Sequence, residues 1–234
     1  MQQVIHILRK EFLDYFVSPI AYIVIAIFLL VTGWFFFSTF FLYDEASLRH
    51  FFNLLPVIFS FVIPAVTMRL FSEELNVGSY ETLLTLPVTY RDIVLGKFLA
   101  ASGFVAAMLV PTLLYPATVA TLGQLDWGPV IGGYIGTLLL GSAYVAVGLF
   151  ASSLTRNQII SFIVGMAICF SLTLIDKMLF FFPRFLLGTI GYLGASTHFQ
   201  NIAKGVIDSR DVLYFLSVIF IGLYATDLAM KEKK

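Results

Sequence analysis

Long uncharged stretches alternate with short charged ones along most of this chain. A helix needs about 20 mostly apolar residues to cross a membrane. Stretches that meet this requirement are residues 20–43, 51–70, 90–122, 130–154, 157–179 and 212–230. The pattern therefore predicts an all-α integral membrane protein, with six transmembrane helices that form a single transmembrane domain over residues 1–234.

The first 19 residues have a different pattern, with apolar positions at helical spacing and charges on much of the remaining surface. The apolar positions are Val4, Ile5, Leu8, Phe12, Tyr15 and Phe16, and the charged ones are Arg9, Lys10, Glu11 and Asp14. This pattern predicts an amphipathic helix over 1–19 in the membrane interface, ended by Ser18-Pro19. Two interpretations stay open: a lipid-surface anchor, or a lever that also touches a cytoplasmic partner.

Residues 180–205 make a poor membrane span. Glycines recur at every third position (Gly188, Gly191 and Gly194), and the strongly apolar part is only about ten residues long, as in re-entrant segments. We expect short re-entrant helices that dip into the outer leaflet, with Phe182 and Pro183 near their start.

The distribution of lysine and arginine predicts the orientation, because cytoplasmic loops carry more of both. With six spans and both termini in the cytoplasm, nine of these residues fall inside and five outside. A seventh span over 185–203 would move the basic C-terminal tail to the outside. The charge distribution therefore favours six spans.

The composition excludes several classes of protein. With 59% hydrophobic and 12% charged residues, the chain could not hide its apolar surface in a soluble fold. Its formal net charge of zero gives no reason to expect nucleic-acid binding, and one cysteine allows no internal disulfide. The sequence has no phosphate-binding G-x-x-x-x-G-K-[ST] loop, no clustered histidines and no catalytic motif. We therefore expect no catalytic residue, metal or cofactor on this chain, and no enzyme activity.

The densest charged stretch lies between the second and third predicted spans, in the loop 72–89. Ser72, Glu73 and Glu74 are expected to form an acidic cytoplasmic corner, followed by a turn at Asn76-Val77-Gly78. Ser79 is a good N-cap for a helix of about two turns, and Glu81 suits the positive end of its dipole.

That short helix has an apolar surface from Leu83, Leu84 and Leu86 and should end at Pro87. Thr89-x-x-Asp92 then resembles a capping box that opens the next span at Tyr90. A helix this short is unstable alone, so its leucines need a surface to pack on. That surface is either this chain's own bundle or a groove of another protein.

At these residues the chain resembles a known family. The segments E-E-x-x-x-G-S-x-E-x-L-L-T-x-P-V and I-V-L-G-K-F-L-A are similar to those of ABC-2 type transporter permeases, in particular the gliding-motility-associated permease and its nitrous-oxide-reductase-maturation relatives. The resemblance extends over nearly the whole chain, including F-x-N-I-A-K-G-V-I-D-S-R-D-V-L-Y-F at 199–215. Ser79 stands where threonine is frequent in the family.

The resemblance implies a function and partners. The permease would use an ABC ATP-binding subunit, which holds the ATP and Mg²⁺, and would pair with a second copy or a homologous permease. The complex would export a substrate or do mechanical work across a bacterial cytoplasmic membrane. The permease would contact membrane lipid and an auxiliary membrane protein that has an extracytoplasmic domain. Residues 1–19 would be the connecting helix.

The resemblance also assigns roles to residues of this chain. The residues that match the family's coupling helix and its approach are Glu73, Glu74, Gly78, Ser79, Glu81, Leu83, Leu84 and Pro87. The residues that would belong to the outer re-entrant gate are Phe182, Pro183, Gly188, Gly191 and Gly194.

The alternative is an ion-coupled secondary carrier or channel that works without ATP. Such carriers often have an acidic residue in the middle of a span, whereas Asp176, Lys177 and Asp227 lie near span ends here. A membrane-embedded enzyme acting on lipids is a third possibility, which would need Asp, His or Arg converging at one interface. No such cluster is evident from the sequence.

The double substitution Leu83→Asp with Leu84→Asp tests the predicted coupling helix. Because a charged pair cannot pack in an apolar groove, we expect the variant to lose stimulation of the ATPase partner while keeping its fold. ATP hydrolysis by the reconstituted complex measures this effect. Unchanged stimulation would show that the helix does not couple.

Overall fold

The computed structural model describes residues 2–43, 47–78, 88–178, 191–206 and 208–233. Those residues form α-helices, joined by turns and short 3₁₀ segments that include Val110–Leu113. The helices are α1 Gln2–Val17, α2 Pro19–Tyr43, α3 Arg49–Thr67, α4 Arg69–Val77, α5 Tyr90–Leu109, α6 Leu114–Leu122, α7 Trp127–Leu154, α8 Gln158–Leu174, α9 Ala195–Ala203 and α10 Ser209–Lys231.

The predicted fold class, an all-α membrane protein, is confirmed. Five helical stretches in the described residues are long and apolar enough to cross a membrane: Pro19–Ser38, Arg49–Val77, Tyr90–Leu122, Trp127–Leu154 and Ser209–Lys231. The shorter apolar helix α8 has 17 residues, at the lower end of the usual range for a span. It occupies the position of the fifth predicted span.

Helix α7 lies at the centre of the bundle and packs against α3, α8, α9 and α10. Its glycines allow close approach: a methyl group at Gly133 would lie 2.4 Å from the ring of Phe52, and one at Gly148 would lie 2.0 Å from Oγ1 of Thr67. The later residue of α7 contacts the later residue of α3, so the two helices run in the same direction. This is the arrangement that a second and a fourth span require.

Helix α1 packs along the first half of α5. Ile7 fills the space beside Gly96, and Phe12 contacts the position of Gly103. The ring of Tyr15 stacks on Phe104 with centroids 4.8 Å apart. Apolar side chains of the amphipathic helix α1 therefore pack against α5. The placement of α1 in the membrane interface stays a prediction.

The outer segment contains the described helix α9, which buries Ser196, His198, Phe199 and Ile202. Gly205 has a φ of 87°, and its Cα lies close to Gly132 of α7. Of the predicted gate residues, Gly191 and Gly194 are joined by a backbone hydrogen bond of 3.3 Å. Phe182, Pro183 and Gly188 lie outside the described residues.

The helical stretch Arg49–Val77 is interrupted at Met68, where α3 ends and α4 begins. The Ser152 hydroxyl of α7 enters the break. It accepts hydrogen bonds from the backbone N–H groups of Phe71 (2.9 Å) and Ser72 (3.0 Å) and donates to the Met68 carbonyl (2.9 Å). An inserted side chain of this kind bends a helix without leaving its backbone groups unpaired.

The expected acidic corner at Ser72, Glu73 and Glu74 is wrong. All three residues lie inside α4, which continues to Val77 and ends at Gly78, whose φ is 78°. The predicted turn is therefore found only at its last residue, because Ser152 restarts the helix after the break and keeps the polar residues helical.

Gly148→Ala tests the close packing of α7 on α3. The added methyl would clash with Thr67, and overpacking of this kind costs about 1–3 kcal/mol. We expect a lower midpoint of thermal unfolding for the detergent-purified protein.

Gly165→Ala in α8 is the matched control, because its methyl would meet its nearest neighbours at an ordinary 3.4 Å. There the higher helix propensity of alanine should leave the midpoint unchanged or raise it. Equal midpoints for the two variants would contradict the packing argument.

Candidate functional site

Helices α4 and α5 form the two stems of the segment 79–87. The first stem ends at Gly78, whose left-handed conformation favours glycine. The second begins with the predicted capping box, which is confirmed. The Thr89 hydroxyl accepts from the Asp92 N–H (3.3 Å), and the Asp92 carboxylate accepts from the Thr89 N–H (3.1 Å). The described residues that flank the segment, Gly78 on one side and Thr89 on the other, therefore end and begin helices with defined local geometry.

Five of the predicted coupling residues, Ser79, Glu81, Leu83, Leu84 and Pro87, lie outside the described residues. The other three lie on the first stem. Glu73 is exposed, whereas Glu74 points into the protein and has a side chain only 15% exposed. The two neighbouring glutamates, which the sequence suggested were equivalent, therefore have different surroundings.

A buried ion triad joins this stem to the other two helices. Lys97 of α5 is almost fully buried, and its Nζ lies 2.7 Å from Glu74 Oε1 of α4 and 3.0 Å from Glu11 Oε1 of α1. The ammonium also lies 5.4 Å from the centre of the Phe71 ring. One cation therefore connects the helix before segment 79–87, the helix after it and the N-terminal helix. We call Glu11, Glu74 and Lys97 the ion triad.

The N-terminal helix has a second link to the same place through Tyr15. Its hydroxyl donates to the Val66 carbonyl at 3.4 Å, and the Arg69 guanidinium lies over its ring at 5.4 Å. Burial raises the pKa of Tyr15 above its ordinary value, so the hydroxyl stays a neutral donor. Helix α1 is thus attached on both sides of the break at Met68.

A cavity of about 390 Å³ opens beside the ion triad. Its charged lining consists of Lys10, Glu11, Asp14, Arg69, Glu73, Glu74 and Lys97. Three cations against four carboxylates leave the lining slightly acidic. Such a lining suits water or a polar side chain of a partner and disfavours phosphate groups.

The sequence contained a signal for the triad. Lys97 lies inside the predicted span 90–122, and an ionisable residue within a span is expected to have a buried partner. We missed Lys97 and Glu11 as site residues because the positive charge of Lys97 was assigned to the cytoplasmic side of the membrane. Its partners are 86 and 23 residues away in the chain.

A second polar cluster lies at the opposite end of the bundle, around His198. Its Nδ1 lies 2.5 Å from Asp211 Oδ1, and its Nε2 lies 2.9 Å from the Tyr192 carbonyl. Both partner atoms are hydrogen-bond acceptors, so each ring nitrogen of His198 faces an oxygen within the protein. The Tyr214 ring stacks on His198 with centroids 4.2 Å apart.

This cluster is the convergence of Asp and His that a lipid-acting enzyme would need. Neither ring nitrogen of His198 is free to take a proton from a substrate, however, since each already contacts an acceptor within the protein. The arrangement favours a structural role, in which His198 ties α9 to α10. It gives no support to the enzyme hypothesis.

Comparison with known families decides the class of the protein. The sequence profile of the family described as "ABC-2 family transporter protein" matches residues 5–219. The chain belongs to the ABC-2 transporter family. No curated protein matches it. The ABC-2 permease is thus a membrane-spanning transporter component. The likeness to the gliding-motility-associated group stays a prediction.

Lys97→Met tests the ion triad. Removing the cation leaves Glu11 and Glu74 as buried carboxylates without a counter-charge, and breaking such a pair costs about 3–5 kcal/mol. We expect a large fall in the midpoint of thermal unfolding. The triple variant Glu11→Gln, Glu74→Gln and Lys97→Met should recover most of it, because it leaves no buried charge.

The matched control is Arg9→Met, since Arg9 is exposed on the same part of α1 and lies outside the cavity lining. A surface substitution of this kind usually changes stability by less than about 0.5 kcal/mol. If Lys97→Met were as mild as the control, the triad would not stabilise the junction of the three helices.

Proposed function

We propose that the ABC-2 permease couples ATP hydrolysis on a separate ATP-binding subunit to movement of its own helices, for substrate export or mechanical work across the membrane. The observation that carries the proposal is the ion triad at the base of segment 79–87. A segment that lies between two defined helix ends, with a buried ionic link behind it, is suited to transmit a push from outside the bundle.

The contact with the ATP-binding subunit is assigned to segment 79–87, through Leu83 and Leu84. The ATPase subunit would hold ATP and Mg²⁺, while the permease supplies no nucleotide site. Displacement of the segment moves α4 and α5 together, because Lys97 joins them. The same lysine carries the movement to α1 through Glu11.

The break at Met68 is the proposed hinge between this moving unit and the bundle. Ser152 of α7 bonds to Met68 at the break and to Phe71 and Ser72 after it, so α4 can change direction while the backbone groups of Phe71 and Ser72 keep a partner. Helix α7 packs against α3, α8, α9 and α10, and a movement at Ser152 would therefore reach the whole bundle.

Family membership implies an ATP-binding partner and usually dimerisation. We propose that two permeases, identical or homologous, complete the transport unit. We also propose a bacterial cytoplasmic membrane as its location, with both chain ends and segment 79–87 on the cytoplasmic side. Arg91 and Lys231 near this end agree with the positive-inside rule.

The triple variant Glu11→Gln, Glu74→Gln and Lys97→Met tests the coupling role separately from folding. We expect it to bind the ATP-binding subunit but to lose stimulation of ATP hydrolysis by roughly fivefold or more, the lower range of measured coupling effects. Co-purification measures binding, and phosphate release in proteoliposomes measures stimulation.

Glu232→Gln is the matched control, because Glu232 is an exposed glutamate at the end of α10 and lies outside the ion triad and the cavity beside it. It should behave as the wild type in both assays. Full stimulation by the triple variant would reject the ion triad as the coupling link, and failure of the wild-type chain to bind any ATP-binding subunit would reject the proposed function.

A further inference from the structure

An apolar groove lies between α5 and α10 at the end of the bundle that carries segment 79–87. Its volume is about 380 Å³, within the range of small-molecule sites. The apolar lining consists of Val94, Leu95, Phe220, Leu223 and Tyr224. Arg91 and Asp227 line its polar end. The groove is separate from the ion triad and from the cavity beside it.

The apolar walls face away from the protein core. Phe220 is 70% exposed and Tyr224 is 55% exposed, and their rings lie nearly parallel, one helical turn apart. Both helices belong to stretches that are long and apolar enough to span a membrane. In a bilayer these walls meet lipid chains, and the tyrosine near the helix end suits the polar interface.

The polar end holds an incompletely bonded carboxylate. The Asp227 side chain is only 8% exposed, and its Oδ2 accepts from Lys231 at 2.6 Å. Its Oδ1 receives no hydrogen bond from the part of the chain that the structure describes. Arg91 lies 3.8 Å from Oδ2 and is 77% exposed. The polar end of the groove thus contains a carboxylate with one oxygen that lacks a donor, beside a guanidinium open to a ligand.

We propose that the groove binds a phospholipid with a primary ammonium headgroup, of the phosphatidylethanolamine type. The ammonium donates to the Asp227 carboxylate, and the phosphate binds the Arg91 guanidinium. The acyl chains lie against Phe220 and Leu95. This zwitterionic headgroup matches both charges at the polar end, whereas a choline headgroup has no N–H to donate.

Other occupants leave part of this chemistry unmatched. An apolar helix of a second copy would cover Phe220 and Tyr224 but would bring no donor to Asp227. A purely anionic lipid would bind Arg91 and Lys231 but would place a second negative charge beside the carboxylate. The proposal does not depend on coupling to an ATPase, since its residues contact neither Glu11 nor Glu74 in the described structure.

Native mass spectrometry of the full chain tests the site. The detergent-purified protein is mixed with equal amounts of phosphatidylethanolamine and phosphatidylcholine that have the same acyl chains. We expect the wild type to retain the ethanolamine lipid in roughly tenfold preference, the value of one charge-assisted hydrogen bond. Asp227→Asn should abolish the preference, and Arg91→Gln should reduce retention of both lipids.

Arg156→Gln is the matched control, because Arg156 is an exposed arginine in the loop between α7 and α8, away from the groove. It should leave both retention and preference unchanged. Arg91 is mostly exposed, so its variant keeps the site testable even if Asp227→Asn unfolds after losing its contact with Lys231.

Equal retention of the two lipids by the wild type would overturn the proposal. So would wild-type behaviour of Arg91→Gln. A preference that persists in a folded Asp227→Asn variant would remove the carboxylate from the site. Loss of a protein dimer in the groove variants, without any change in lipid preference, would instead assign the groove to a second copy of the chain.

Discussion

The burial of one ammonium group organises the end of this permease that carries segment 79–87. Lys97 cannot stay charged inside the protein without partners, and the carboxylates of Glu11 and Glu74 provide them. Each partner comes from a different helix, so satisfying the charge also fixes α1 and α4 against α5. An electrostatic requirement at one atom thereby becomes a mechanical connection among three elements. Segment 79–87 begins and ends on two of these elements.

For the proposed coupling, the three connected helices must be able to move relative to the rest of the bundle. The break at Met68 would allow this, because Ser152 replaces two backbone bonds that a continuous helix would make. Close packing at Gly148 keeps α7 near enough for Ser152 to reach the break. In the proposed mechanism the ion triad and the break complement each other: the triad would make the stems move together, and the break would let them move relative to α3.

The groove between α5 and α10 places a second set of charges on the other side of the same stem. Arg91 lies near the start of α5 and faces Asp227 of α10. Lys97 lies further along α5. A lipid bound there would contact α5, the helix that we propose receives movement from segment 79–87. Helix α5 would then contact both the bound lipid and the ion triad.

The sequence by itself determined the features that depend on neighbouring residues. Hydropathy predicted the apolar helices, and Thr89-x-x-Asp92 predicted the start of α5, because helix periodicity and capping act within a few positions. Only the tertiary structure decided the partners of Lys97, the different surroundings of Glu73 and Glu74, and the bond from Ser152 to the break at Met68. These contacts join residues 23 to 86 positions apart. Local rules cannot choose among several acidic side chains at such separations, since the choice depends on which helix faces pack together.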